Sequence, residues 1–362
     1  MDSINVAVVD DSVFMRKLIS DIINEDDRFV VVAKFRNGKE LIEKADDYKI
    51  DIITLDIEMP VLDGLSTLDE LNRRGKRYPI IMLSSLTSKG SEKTMECLSR
   101  GALDFVEKPS GYFKNMNEIK NELKSKILAI AKATQQRTAL PIVSAREKIQ
   151  TTHEKTINYE SITKKTNIRR TSFNGIEAIL IGASTGGPKA LQKVLPFIEA
   201  DVNVPVFVVQ HMPKGFTKAF ADRMNNLCEL KVVEAEQDME INKNTIYIAP
   251  GGYHMTVGNG TRIKLNQEPQ IWGVRPAVDK LFESAVKIYN GKLVSAILTG
   301  MGRDGARGTE LVKDSGGVTI SEAEETCTIY GMPKAAFETG KVDFVLNIDD
   351  IGRKISSITK GR

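Results

Sequence analysis

Two parallel α/β domains joined by a polar linker are predicted by three features of this 362-residue chain. Short apolar runs alternate with amphipathic segments over residues 4–106, and the alternation resumes at Glu177. Between them, residues 136–174 lose periodicity and are rich in Thr, Lys, Arg and Ser. The length also exceeds what one ordinary core holds. Strands alternating with helices at this spacing form parallel sheets covered on both faces.

The first series places strands at 4–9, 30–35, 50–55, 79–83 and 102–106. Helices are expected from Val13 to Ile23, Lys39 to Asp46, Leu65 to Arg73 and Glu92 to Ser99, with a last one over 115–133. Phe14, Leu18 and Ile22 share one face of the first; Ile119, Leu123, Ile127 and Ile130 share one face of the last. The second series places buried strands at 178–183, 204–209, 245–249, 294–299, 318–321 and 342–346. Gly251, Gly252, Gly258 and Gly260, with alternation from Thr261 to Leu265, predict a hairpin excursion. The expected division is a first domain over 1–125, a linker over 126–172 and a second domain over 173–362.

A hydrophobic content of 41% and a charged content of 27% are those of a soluble globular protein. The net charge of +3 is concentrated, because 136–174 hold eight Lys or Arg against three Glu. The remainder is −2, which provides no field for nucleic acid, so the basic stretch reads as a solvated linker. Cys97, Cys228 and Cys327 are scattered without metal-ligand spacing, as reduced thiols are. No apolar run approaches the ~20 residues of a membrane helix, and no signal region precedes Asp10. A cytoplasmic monomer that neither enters membranes nor binds nucleic acid is expected.

Ligands of parallel α/β sheets gather at the carboxyl ends of the strands. Asp10 and Asp11 end the first strand and Asp56 ends the third, placing three carboxylates at one mouth. Such an oxygen cluster suits Mg²⁺. Lys108 ends the fifth strand and Ser84 the fourth, adding an ammonium and a hydroxyl. A single Asp after a strand is usually just a turn residue. Four strand ends with one chemistry instead describe a site for a phosphoryl group on a carboxylate.

In the second series, Gly182, Ser184 and Gly186 spell G-x-S-x-G between a buried strand and a helix whose first turn contains Pro188. That context would hold the Ser184 hydroxyl out at the sheet edge, although a phosphate-binding glycine turn with an incidental serine has the same letters. A serine nucleophile needs a base, and the chain has three histidines. His153 falls in the linker, His211 ends the next strand, and His254 lies in a glycine-rich loop as second choice. Asp304, in T-G-M-G-R-D-G-A, supplies a carboxylate at that edge; Asp222 and Asp279 read as helix-surface residues. The order Ser, His, Asp differs from the usual α/β-hydrolase order, which geometry permits. Gly300, Gly302 and Gly305 also spell G-x-G-x-x-G with Glu322 downstream, a dinucleotide-like pattern. Against it, Asp304 inside the turn would repel a pyrophosphate.

V-V-D-D-S, T-L-D-I-E-M-P and V-E-K-P resemble the response-regulator receiver domain, which implies a flavodoxin-like five-stranded sheet. The resemblance implies Asp56 as phosphoacceptor, Mg²⁺ among Asp10, Asp11, Asp56 and the Glu58 carbonyl, and Ser84, Phe105 and Lys108 as switch residues. G-A-S-T-G-G-P, Q-H-M-P and T-G-M-G-R-D-G-A resemble the chemotaxis protein-glutamate methylesterases, in the same domain order. That resemblance implies a mostly parallel α/β serine hydrolase with Ser184 as nucleophile, His211 as base and Asp304 as its orienter. Thr185, which follows the serine, and Met301 are the candidate oxyanion donors. Implied substrates are glutamate γ-methyl esters and specific glutamines on chemoreceptor cytoplasmic helices, with a chemotaxis histidine kinase as phosphodonor and no cofactor for the esterase. Arg303 departs from the family, where a smaller residue is frequent. The competing class is a receiver-controlled regulator that binds a nucleotide or protein without chemistry.

Overall fold

The computed structural model describes residues 3–85, 87–109, 116–138, 175–259 and 261–361. In the first domain β1 (Ile4–Val9), β2 (Phe29–Phe35), β3 (Ile52–Asp56), β4 (Ile80–Ser84) and β5 (Asp104–Glu107) form a parallel sheet in the order β2-β1-β3-β4-β5. This is the flavodoxin-like order, whose winding reverses between β1 and β3. Helices α1 (Val13–Asn24), α2 (Gly38–Lys44), α3 (Gly64–Arg73), α4 (Ser88–Ser99) and α5 (Met116–Thr138) cover it. Short polar side chains take up orphan amides where helices begin. Ser12 accepts from Met15 N at 3.3 Å, Asp63 from Ser66 N at 2.8 Å and Thr87 from Gly90 N at 2.9 Å. The Thr87 cap starts α4 a turn before Glu92, because its first turn is small and polar and carries no apolar periodicity.

The second domain has a seven-stranded parallel sheet. Its strands are β6 (Ala178–Ala183), β7 (Val206–Gln210), β8 (Lys231–Glu234), β9 (Thr245–Ile248), β12 (Leu293–Ile297), β13 (Val318–Glu322) and β14 (Phe344–Leu346). They lie in the order β14-β13-β12-β6-β7-β9-β8. The expected hairpin is β10 (His254–Gly258) and β11 (Arg262–Asn266), antiparallel and apart from the main sheet. Helices α6 (Gly187–Val194), α7 (Phe216–Asn225), α8 (Val278–Tyr289), α9 (Ala306–Asp314), α10 (Met332–Glu338) and α11 (Ile348–Thr359) complete the layers. β6, β7 and β12 are buried along their whole length, as strands covered on both faces must be. Edge strand β8 is unmarked by the sequence pattern, since K-V-V-E offers two apolar residues only.

The two domains touch through one face of the first. Phe105 of β5 is buried, and its ring lies 4.5 Å from that of Phe216 at the start of α7. Ser99 at the end of α4 and Gln192 of α6 approach to 3.3 Å through their side-chain oxygens. Ile329 joins the apolar cluster of Ile127 and Ile130 on α5. A cavity of about 200 Å³ at this seam is lined by Ile130 and Thr134 from α5 and by Gly186, Lys189 and Glu322 from the second domain. Residues 139–172 of the expected linker, with His153, lie outside the described residues. No helix among the described residues is long and apolar enough to cross a membrane.

Candidate active site and receiver pocket

The second sheet reverses its winding at β6, with β12 on one side and β7 on the other. The loops leaving the carboxyl ends of these three strands carry Ser184, His211 and Asp304. Ala183 pairs with Gln210, so Ser184 and His211 follow adjacent register positions, and His211 N donates to Ala183 O at 3.1 Å. On the other side Ser184 N donates to Thr299 O at 3.0 Å. Gly186 turns the chain with φ +78°, a conformation that disfavours a side chain, and α6 begins at the next residue. Gly300 passes so close that a Cβ there would lie 2.7 Å from the Ser184 Cβ. The Thr185 and Met301 N–H groups donate to no protein group among the described residues.

His211 Nε2 lies 2.8 Å from Asp304 Oδ2, and both side chains are nearly inaccessible. Ser184 and His211 make no side-chain hydrogen bond to each other; such bonds often tighten only with substrate in place. Asp304 also accepts from Val278 N at 2.6 Å and Asp279 N at 2.9 Å, the first amides of α8. Burial alone would raise its carboxyl, but the bond and charge of His211 and these two amides hold it below its ordinary value.

Asp279 corrects a sequence expectation. It is buried at the amino end of α8 and not on the helix surface, because its carboxylate caps the neighbouring helix. Asp279 Oδ1 accepts from Gly305 N at 3.0 Å and Gly308 N at 2.7 Å, while Asp304 caps α8 in return. Burial, then the Asp304 charge, push the Asp279 carboxyl upward. This exchange also disposes of the dinucleotide pattern. The α9 amides that a pyrophosphate would need are filled by Asp279, and Glu322 is spent on Thr299 N at 2.7 Å and the Thr326 hydroxyl. His254 is fully buried in the hairpin with Nε2 3.1 Å from Pro269 O, and exposed Asp222 pairs with Lys218.

In the first domain Val9 pairs with Leu55, which aligns Asp10 with Asp56. Asp10, Asp11 and Asp56 each present a carboxylate oxygen within 4.8 Å of the others, a donor set that fits a hard divalent cation. Lys108 Nζ bridges Asp10 at 2.8 Å and Asp56 at 2.7 Å. Glu58 donates its amide to Asp56 at 3.3 Å and pairs its exposed carboxylate with Lys93. Ser84 ends β4 as expected, but its hydroxyl accepts from Thr94 at 2.7 Å and faces α4, with no bond to Asp56.

The comparisons with known proteins agree with both halves. Residues 6–124 match the response regulator receiver domain and residues 179–355 match the CheB methylesterase family. A protein-glutamate methylesterase/protein-glutamine glutaminase of Clostridium acetobutylicum is 50% identical, spanning 100% of this chain and 99% of that protein. The chain belongs to this methylesterase family. A homologue of the same description from Archaeoglobus fulgidus is 42% identical over 97% of this chain and 96% of its own. The crystal structure of the Thermotoga maritima CheB methylesterase catalytic domain is 42% identical, covering 52% of this chain and 98% of that one, with a TM-score of 0.49.

One residue of this methylesterase that sequence reasoning passed over is Gln210. It is buried, and its Nε2 donates to Ser184 O at 2.9 Å and His211 O at 3.1 Å. Two carbonyl oxygens only accept, so the amide nitrogen must face them. Holding the Ser184 carbonyl fixes the plane of the Ser184–Thr185 peptide, and with it the opposite direction of the Thr185 N–H. Its sequence signals were its place at the end of a buried strand and at the head of Q-H-M-P. Gln210→Leu is expected to slow labelling of Ser184 by a serine-reactive phosphonate roughly ten- to hundred-fold while the circular dichroism spectrum is unchanged.

Burial, opposed by Lys108 and reinforced by Asp10, raises the Asp56 carboxyl from 3.8 to about 6. A carboxyl raised on folding binds more protons folded than unfolded, so it costs stability as pH climbs through that window. Asp56→Asn should therefore stabilise the metal-free protein at pH 7 by up to roughly 3 kcal/mol. The advantage should vanish at pH values near the ordinary 3.8, which melting scans in chelator at the two pH values would measure.

Proposed function

We propose that the chain is a phosphorylation-activated serine esterase that hydrolyses glutamate γ-methyl esters on chemoreceptor helices, releasing methanol, and deamidates specific receptor glutamines. The observation that carries the reading is the 2.8 Å bond between His211 and Asp304 on loops beside Ser184. In this reading the Ser184 hydroxyl attacks the ester carbonyl while His211 takes its proton. Nε2 is committed to Asp304, which leaves Nδ1 for the serine. His211 returns the proton to the departing methoxide, or to the amide nitrogen of a glutamine, which leaves as ammonia. Water, deprotonated by the same imidazole, then attacks the acyl carbonyl; the bond to Ser184 Oγ breaks, His211 returns the proton to that oxygen, and glutamate is freed. Asp304 orients the imidazole and offsets its transient positive charge. The amides of Thr185 and Met301 hold the oxyanion, a contribution of ~3–4 kcal/mol in related chemistry.

Residues 1–125 act as the receiver and 173–362 as the catalytic domain; of the expected linker over 126–172, residues 126–138 continue α5 and pack with the receiver through Ile127 and Ile130. Asp56 accepts the phosphoryl group from a chemotaxis histidine kinase. Asp10, Asp11, Asp56 and the Glu58 carbonyl would hold Mg²⁺, which would supply positive charge for a phosphoryl group, and Lys108 offers a second cation. Ser84 and Phe105 transmit the change. The protein works as a cytoplasmic monomer.

Ser184→Ala, His211→Ala and Asp304→Ala are expected to abolish most methanol release from methylated receptor membranes, with the Ser and His losses non-additive. Asp304→Asn should cost less than Ser184→Ala if orientation is its role. Near-normal turnover in folded His211→Ala overturns the assignment of the base.

The seam between the domains supports restraint as the mode of control. Phe105 packs on Phe216 at the head of the helix that follows the His211 loop, and α5 and Gly186, two residues after the serine, line one cavity. A phosphoryl group that favours the separated arrangement by ~1.4 kcal/mol gives a ten-fold activation. A fragment beginning at Thr171 should be faster than the unphosphorylated whole protein and indifferent to phosphodonor, and Asp56→Asn should remove the phosphodonor response of the full chain. A folded fragment that is no faster excludes steric restraint.

A further inference from the structure

The tryptophan at position 272, the single one in the chain, is 59% exposed on the loop that leads into α8, the helix whose first amides hold Asp304. A large aromatic left in water is a costly arrangement unless something covers it. The ring is also held in place. Its backbone lies at φ +53°, a conformation unusual for a bulky residue, and its Nε1 donates to Asp279 Oδ2 at 3.2 Å. Asp279 is itself pinned by the α9 amides, so the indole is tied to the framework that orients Asp304. Above the ring stands Arg303, with its guanidinium carbon 5.2 Å from the ring centroid. Arg303 is exposed, directly precedes Asp304, and has no carboxylate partner among the described residues. Met301, 39% exposed, lies on the same loop.

We propose that Trp272 and Arg303 form a docking shelf for the substrate protein, the indole covering an apolar side chain and the guanidinium pairing with a carboxylate of one acidic, amphipathic segment. The proposal rests on the esterase reading and adds to it where the substrate lands. Exposed Trp and Arg are the residue types that dominate protein recognition sites. Prior fixation of both reduces the ordering cost of binding. An unpaired cation at the rim selects an acidic partner and speeds its approach. A small ester needs no such contact, so the shelf should govern the protein substrate alone.

The test uses the full-length protein activated with acetyl phosphate and Mg²⁺. Methanol release from methylated receptor membranes is compared with inactivation of Ser184 by a small phosphonate, for wild type, Trp272→Ala, Trp272→Phe, Arg303→Ser and Arg303→Glu. Trp272→Ala and Arg303→Glu are expected to lower kcat/KM on membranes about ten-fold through KM. Trp272→Phe, which keeps the ring and loses the N–H, should retain most of the activity. Phosphonate inactivation should stay within about two-fold of wild type throughout, and added salt should shrink the gap between wild type and Arg303→Ser. Unchanged kcat/KM on membranes in an active enzyme overturns the shelf and leaves the esterase reading standing. An equal fall in phosphonate reactivity overturns it too, because Trp272 would then serve only to support Asp279. Absence of methanol release by wild type above the Ser184→Ala blank overturns the esterase reading, and the shelf with it.

Discussion

A buried carboxylate that must remain ionised, Asp304, is the constraint around which the catalytic domain is arranged. Three donors converge on it: the imidazole of His211 and the first two amides of α8. Without them an isolated buried charge would neutralise itself by taking up a proton. Asp279 answers from the opposite side by capping α9, so each aspartate closes the helix that the other precedes or begins. Two helix N-termini and two carboxylates thus make one rigid block, and the imidazole is oriented by its attachment to that block.

The two domains put chemistry at the same kind of place. In each, the winding of a parallel sheet reverses, and the loops leaving adjacent strands meet. In the first domain the meeting residues are three carboxylates and Lys108; in the second they are Ser184, His211 and Asp304. The strand that precedes Lys108 also carries Phe105, whose ring rests on Phe216 in the catalytic domain. The Asp56 pocket and the loop that bears His211 are therefore separated in space by one strand and one ring pair.

Much of this was legible beforehand. Strands such as A-I-L-I-G-A and I-D-I-I-T-L announce themselves because both sheet faces are covered and apolar residues predominate. Carboxylates placed directly after such strands identify a pocket, since parallel topology brings strand ends together. K-V-V-E at β8 and the polar first turn of α4 were not legible, because an edge strand and a capped first turn bury too little to leave a period. Asp279 and Gln210 were misread or passed over for another reason. Their partners, at Gly305, Gly308 and Ser184, are brought near by strand pairing and loop packing and not by any sequence spacing.

Two parallel sheets, their order in the chain and the residue types at the mouth of each follow from contiguous residues, because burial pattern and local turn chemistry are local properties. The tertiary structure alone decided which nitrogen of His211 meets Asp304, which carboxylate caps which helix, where the Ser84 hydroxyl turns and which face of the receiver meets the hydrolase. Those outcomes depend on hydrogen bonds with directions and on rings in contact across tens to hundreds of residues of chain, and geometry of that kind exists only once the sheets have assembled.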